Sequence, residues 1–161
     1  MSKETSSLKQ FDKPLLAALI GSIAAVAKAL TTLLGKALGL GTWDLIRLSA
    51  TIITHNQIKG FGVIILGWLI LLIIGAIIGT ILYYSLYLLG KDYLLFKSIG
   101  IGILVWIFDT TMAFIFGTPI SVYRNLSNYV IFFASAIVYG ITVWYLFERF
   151  IFIHDSKINW K

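Results

Sequence analysis

Asp109 is the one acid lodged inside a long apolar run of this chain. It lies about 18 Å of helical rise past Lys97 and about 13 Å before Thr118. That is too deep for a short carboxylate to reach water along a helix surface. An ionisable group at such depth faces the interior of a helix assembly or a wet cavity, where it pairs, holds a proton or handles an ion. Lys28 is the matching cation, inside another apolar run and about 9 Å of rise before that run's far end. Two readings of Lys28 stand. Either its stem lies along the helix and its ammonium snorkels to the interface, or it meets Asp109 where their helices touch. A pair would fix how the helices pack, as would a protonated Asp109 bonded to a backbone carbonyl. The functional reading is a proton- or cation-responsive site in a small polar cavity.

Other chemistry is sparse. The chain has no phosphate loop, no Gly-x-Ser-x-Gly elbow, no His-Glu-x-x-His and no cluster of carboxylates. Without cysteine there is no disulfide, thiolate metal site or cysteine nucleophile. The two histidines, His55 and His154, stand far apart, which argues against a histidine-built metal or haem site. Serine and threonine are plentiful but lack a nearby general base; Asp109-Thr110-Thr111 is the only cluster that joins hydroxyls to one, and in a helix such hydroxyls usually bond back to their own turn. The expectation is a protein that is not an enzyme and that needs no cofactor or metal.

The elements that carry these residues follow from composition. Of 161 residues, 59% are apolar and only 12% charged, which places the chain in the membrane class. The net charge of +6 sits in short segments flanking apolar runs, as topology determinants do, and no nucleic-acid-binding motif accompanies it. Gly60 to Leu89 carries no charge over about 30 positions, one and a half times what a helix needs to cross a bilayer. The spacing predicts an all-α, polytopic fold: four transmembrane helices over about 15–34, 61–89, 94–116 and 129–153, between tails 1–13 and 154–161. Pro14 is expected in the first turn of the first span, after a mobile tail. A rival reading of that span is a signal peptide cut near Ala25-Val26-Ala27, but apolar character continues past the site.

Small residues predict the seams. Ala17, Gly21 and Ala25 make a thin face on the first span that suits the Gly75-x-x-x-Gly79 step on the second. Ala136 and Gly140 form a further small pair, and Gly100 and Gly102 thin the third span. The turn Gly90-Lys91-Asp92-Tyr93 is expected to lay the third span antiparallel beside the second. Between spans one and two, Gly39-Leu40-Gly41 breaks the helix and Thr42 or Asp44 can cap a new one. The short amphipathic helix that follows is expected in the headgroup plane or capping the bundle's end, anchored by Trp43. Pro119 to Asn128 reads as a polar loop; its Asn125-Leu126-Ser127 sequon has meaning only in a eukaryotic secretory pathway. Eight Lys and Arg on one side (Lys3, Lys9, Lys13, Lys91, Lys97, Arg149, Lys157, Lys161) face four on the other (Lys36, Arg47, Lys59, Arg124), which places both termini in the cytoplasm.

Several of these features together resemble a group of small four-pass bacterial membrane proteins of unknown function, the YqhR/YagU-like kind. They are the Ala/Gly-rich first span, Thr42 to Leu48 (TWDLIRL), Gly75-x-x-x-Gly79 with Tyr83, the Gly90 to Tyr93 turn, and Lys97-Ser98-Ile99-Gly100-x-Gly102 leading to Trp106. The likeness covers roughly Pro14 to Trp106, with a weaker echo at Tyr139-Gly140. It implies a bacterial plasma membrane and the four-helix layout, and carries over no catalytic residue. The expected role is an interaction or structural subunit, partnered by the lipid bilayer and by its own copies or another membrane protein. The alternative is a small ion- or proton-coupled transporter component using Asp109. Lipid handling along the amphipathic helix is a third option.

Overall fold

The computed structural model describes residues 4–54, 60–90, 92–115 and 125–152, with residues 4–12 and Ile52 described by backbone alone. His55, the segment around Pro119 and the basic tail from His154 lie outside these. The elements are α1 (Glu4–Ala37), α2 (Leu45–Thr54), α3 (Phe61–Leu89), α4 (Leu94–Ile115) and α5 (Leu126–Phe147), which runs on into a π-helical turn, Glu148–Phe152. Among the described residues there is no strand, and α1, α3, α4 and α5 are each long and apolar enough to cross a membrane. The all-α, four-span architecture is as the spacing predicts.

Two backbone seams set the packing. Gly21 of α1 lies against Gly75 and Gly79 of α3, so close that a Cβ there would overlap the Gly75 carbonyl. Across the same seam the Ala25 Cβ sits 2.7 Å from where a Gly75 Cβ would stand, and Gly79 meets the Ala17 carbonyl. Position 17 thus pairs with 79 and 25 with 75, an antiparallel contact, joined by Ser22 Oγ donating to the Leu72 carbonyl at 3.0 Å. The second seam joins α4 and α5, with Gly102 on the Ala136 carbonyl and Gly140 against Ile99 Cα and the Ser98 carbonyl. Close backbone approach is what small residues allow between helices in lipid, where no hydrophobic drive holds them together.

Three expectations change. First, α1 already begins at Glu4, so Pro14 lies inside a helix and not at its start. A helix nucleated by the apolar segment extends backwards cheaply, and the proline removes one backbone bond without ending it. Second, α4 does not lie along α3. α1 packs on α3 and α5, α5 packs on α4, and α3 and α4 barely touch. The turn between them is tight, with Gly90 at φ 80° and Tyr93 at φ 58°, and Lys97 Nζ donates to the carbonyls of Leu89 and Gly90 at 3.1 and 2.8 Å. A short turn brings helix ends together; only side-chain complementarity keeps the helices together along their length. Third, α2 is largely inside the protein. Leu45, Ile46, Leu48, Ser49, Ala50 and Thr51 are buried, and the Ile46 carbonyl rests on Gly67 of α3.

The core therefore has two storeys. Around the middle of α1, Ala17, Ile20 and Ala24 pack with Leu82 and Leu86 of α3 and Tyr139, Val143 and Phe147 of α5. Toward the other end α2 supplies the middle: Leu45, Ile46 and Leu48 pack with Ala29, Leu71, Ala113 and Phe132, contributed by all four spans. Leu71 lies about 15 Å of rise beyond Phe61, so α2 reaches well below the end of the bundle. Trp43, expected as a surface anchor, packs against this second storey.

Candidate functional site

α1 and α5 run antiparallel to each other, as do α4 and α5, so α1 and α4 run parallel and present Lys28 and Asp109 at similar height. The Lys28 ammonium donates to Asp109 Oδ2 at 2.6 Å. The lysine side chain is 5% exposed and the aspartate 23%, so Lys28 does not snorkel: its charge is spent on Asp109 inside the protein. α1 and α4 make little other contact, and this bond spans the gap between them.

Around the pair lie Leu45 and Leu48 from α2, Trp106 and Thr110 from α4, and Tyr129 and Phe132 from α5. They enclose a cavity of about 10 Å³, roughly the room one water molecule needs. Thr110 Oγ1 bonds back to the Trp106 carbonyl at 2.7 Å and Thr111 Oγ1 to the Ile107 carbonyl at 2.8 Å, so the polar cluster beside Asp109 is turned onto its own helix. Trp106 stacks edge-on against Phe133, ring centres 5.3 Å apart, and its buried Nε1 finds no partner among the described residues. Chemically the arrangement is a neutralised pair in an apolar sleeve.

Of the other residues singled out, Gly21, Gly75 and Gly79 all lie in the α1–α3 seam and Gly140 in the α4–α5 seam. Gly102 works as a seam residue, whereas nothing stands within 4 Å of a Cβ at Gly100. The small-residue steps of these two seams each meet a helix of the same chain.

Sequence reasoning missed a second polar network at the α2 end. Asp44 caps α2: its Oδ1 accepts the Arg47 backbone N–H at 2.9 Å and its Oδ2 accepts Lys36 Nζ at 2.6 Å. Arg47 Nε stands 3.8 Å from the same Oδ2. The cap was legible, but a loop separates Lys36 from Asp44 and hides their pairing. Asn128, expected in a loop, is buried in α5; its Oδ1 accepts the Thr42 N–H at 2.9 Å and its Nδ2 donates to Thr42 Oγ1 at 3.2 Å. Asn125 caps α5 through the Ser127 N–H at 3.0 Å. Among the described residues, no three His, Cys, Asp or Glu side chains gather as a metal ion requires.

No family model, curated protein or solved structure matches this chain. What the helices themselves establish is plain. The chain is a multi-pass helical membrane protein.

Proposed function

We propose that this chain is a non-enzymatic integral subunit of a membrane assembly, built either from its own copies or with another membrane protein. The setting we propose is a bacterial plasma membrane with both termini cytoplasmic, in keeping with the YqhR/YagU-like resemblance and the count of basic residues. One observation carries the reading: α3 and α4 bury only 17% of their most apolar windows, against 44% for α1 and α5. On α3 the exposed residues Ile65, Leu69, Ile73, Ile77 and Ile81 recur every fourth position, a ridge of the kind that packs into a neighbouring helix's groove. The glycine steps do not add to this argument, because they are used within the chain.

The test is the mass of the full chain extracted in mild detergent. The expected particle is heavier than one 18.0 kDa chain with its detergent and lipid. A strictly monomeric particle with nothing bound would overturn the proposal. The transporter alternative makes a different forecast, a proton or cation flux in reconstituted vesicles that Asp109→Asn abolishes. The Lys28 bond and the cavity of about 10 Å³ favour no flux from the parent protein.

A further inference from the structure

We infer that the groove between α1 and α3, at the end of the protein that carries α2, is a binding site for an anionic phospholipid. Lys36 and Arg47 would hold its phosphate, and Leu33, Ile64 and Trp68 the first part of an acyl chain. The groove is open on one side and offers about 530 Å³, a size in the range of about 300–1,000 Å³ typical of small-molecule sites.

Charge points to the ligand's sign. Two cations, Lys36 and Arg47, converge on one acid, Asp44, which leaves a surplus positive charge at the groove's mouth. Asp44 is buried and already committed, with Oδ1 capping α2 and Oδ2 facing both cations. Lys36 has three N–H donors and spends one on Asp44; Arg47 has five on its side chain and turns Nε toward it. The Arg47 side chain is 59% exposed, so its guanidinium is open to a ligand. A phosphate diester offers the acceptors that such donors match.

Depth points to a lipid. Lys36 stands in the last turn of α1, where the stretch of that helix long and apolar enough to cross a membrane ends at Ala37. Leu33 lies about 4.5 Å further in along α1, and on α3 Trp68 lies about 6 Å further in than Ile64. Lys36 at the boundary, its charge meeting that of Arg47 at Asp44, with an apolar trough running inward, repeats the order of a phospholipid, headgroup outside and chain within.

The experiment is native mass spectrometry of the full chain, delipidated in mild detergent and titrated with phosphatidylglycerol or phosphatidylcholine of the same acyl chains. The expected result is one retained phosphatidylglycerol, preferred at least fivefold over phosphatidylcholine. Arg47→Gln leaves the Lys36–Asp44 bond in place and should lower that preference about fivefold, the scale of one basic residue at an anionic lipid surface. Ile64→Trp keeps every charge and fills the trough; it should reduce retention of both lipids. Equal retention of the two lipids by the parent chain, or an unchanged preference in Arg47→Gln, would overturn the inference. So would displacement of the bound lipid by inorganic phosphate at equal concentration, which would show that the site takes the anion alone.

Discussion

A lysine and an aspartate removed from water each carry a large desolvation cost, and pairing offsets much of it without making the pair better than two apolar residues. That asymmetry predicts the behaviour of Lys28 and Asp109. Lys28→Met or Asp109→Leu alone strands one charge in an apolar sleeve and should destabilise the protein by about 3–5 kcal/mol. The double variant removes both charges and should recover most of that loss. The check is a double-mutant cycle of unfolding midpoints in mixed micelles. Additive single effects would mean that the 2.6 Å contact does not couple the two residues. A pair whose double replacement folds well, in a parent protein that carries no flux, has a packing role.

At the scale of the element, helices in lipid associate where backbones can come close. Gly21→Leu drives a side chain into the Gly75 carbonyl, which belongs to a helix and cannot step aside. The expected cost is at least the roughly 1–3 kcal/mol of an overpacked core, read as a lower unfolding midpoint and loss of the compact particle. Gly100 is the control, since no atom stands within 4 Å of a Cβ there. Gly100→Ala should be neutral, or stabilising by up to roughly 1 kcal/mol, because alanine loses less backbone freedom in a helix. A matching loss in both variants would remove the seam as the explanation. For α2 the pattern of apolar residues was readable, but where the helix sits was not. A helix of ten residues reads alike whether its apolar side meets headgroups or other helices. Gly67 decides the matter, by letting the Ile46 carbonyl rest directly on α3.

For the whole molecule, the row of contacts α3–α1–α5–α4 leaves the outer two helices open along much of their length. The chain has no cysteine, so single cysteines report neighbours cleanly. If the assembly is built from copies of this chain, Ile73→Cys or Ile77→Cys on the α3 ridge should give an intermolecular disulfide under mild oxidation. Ile23→Cys on α1 serves as a comparison, since it too is exposed but lies off that ridge. Crosslinking that is equal at all three positions would indicate random collision. An assembly with a different protein would leave the ridge cysteines uncrosslinked while the extracted particle stayed heavy.

Read alone, the sequence determined the class, the four spans and the first seam, because each depends on local quantities. Those quantities are the length of uncharged runs, the spacing of small residues and the depth of a charge along its own helix. It also singled out Lys28 and Asp109, since a charge among apolar neighbours is conspicuous wherever the chain goes. Only the tertiary structure decided that the two meet, that α2 enters the bundle, that α4 leaves α3 for α5, and that Lys36 joins Asp44 across a loop. Each of these is a choice among partners of similar apolar character. In lipid that choice rests on fit between surfaces, which no single stretch of sequence contains.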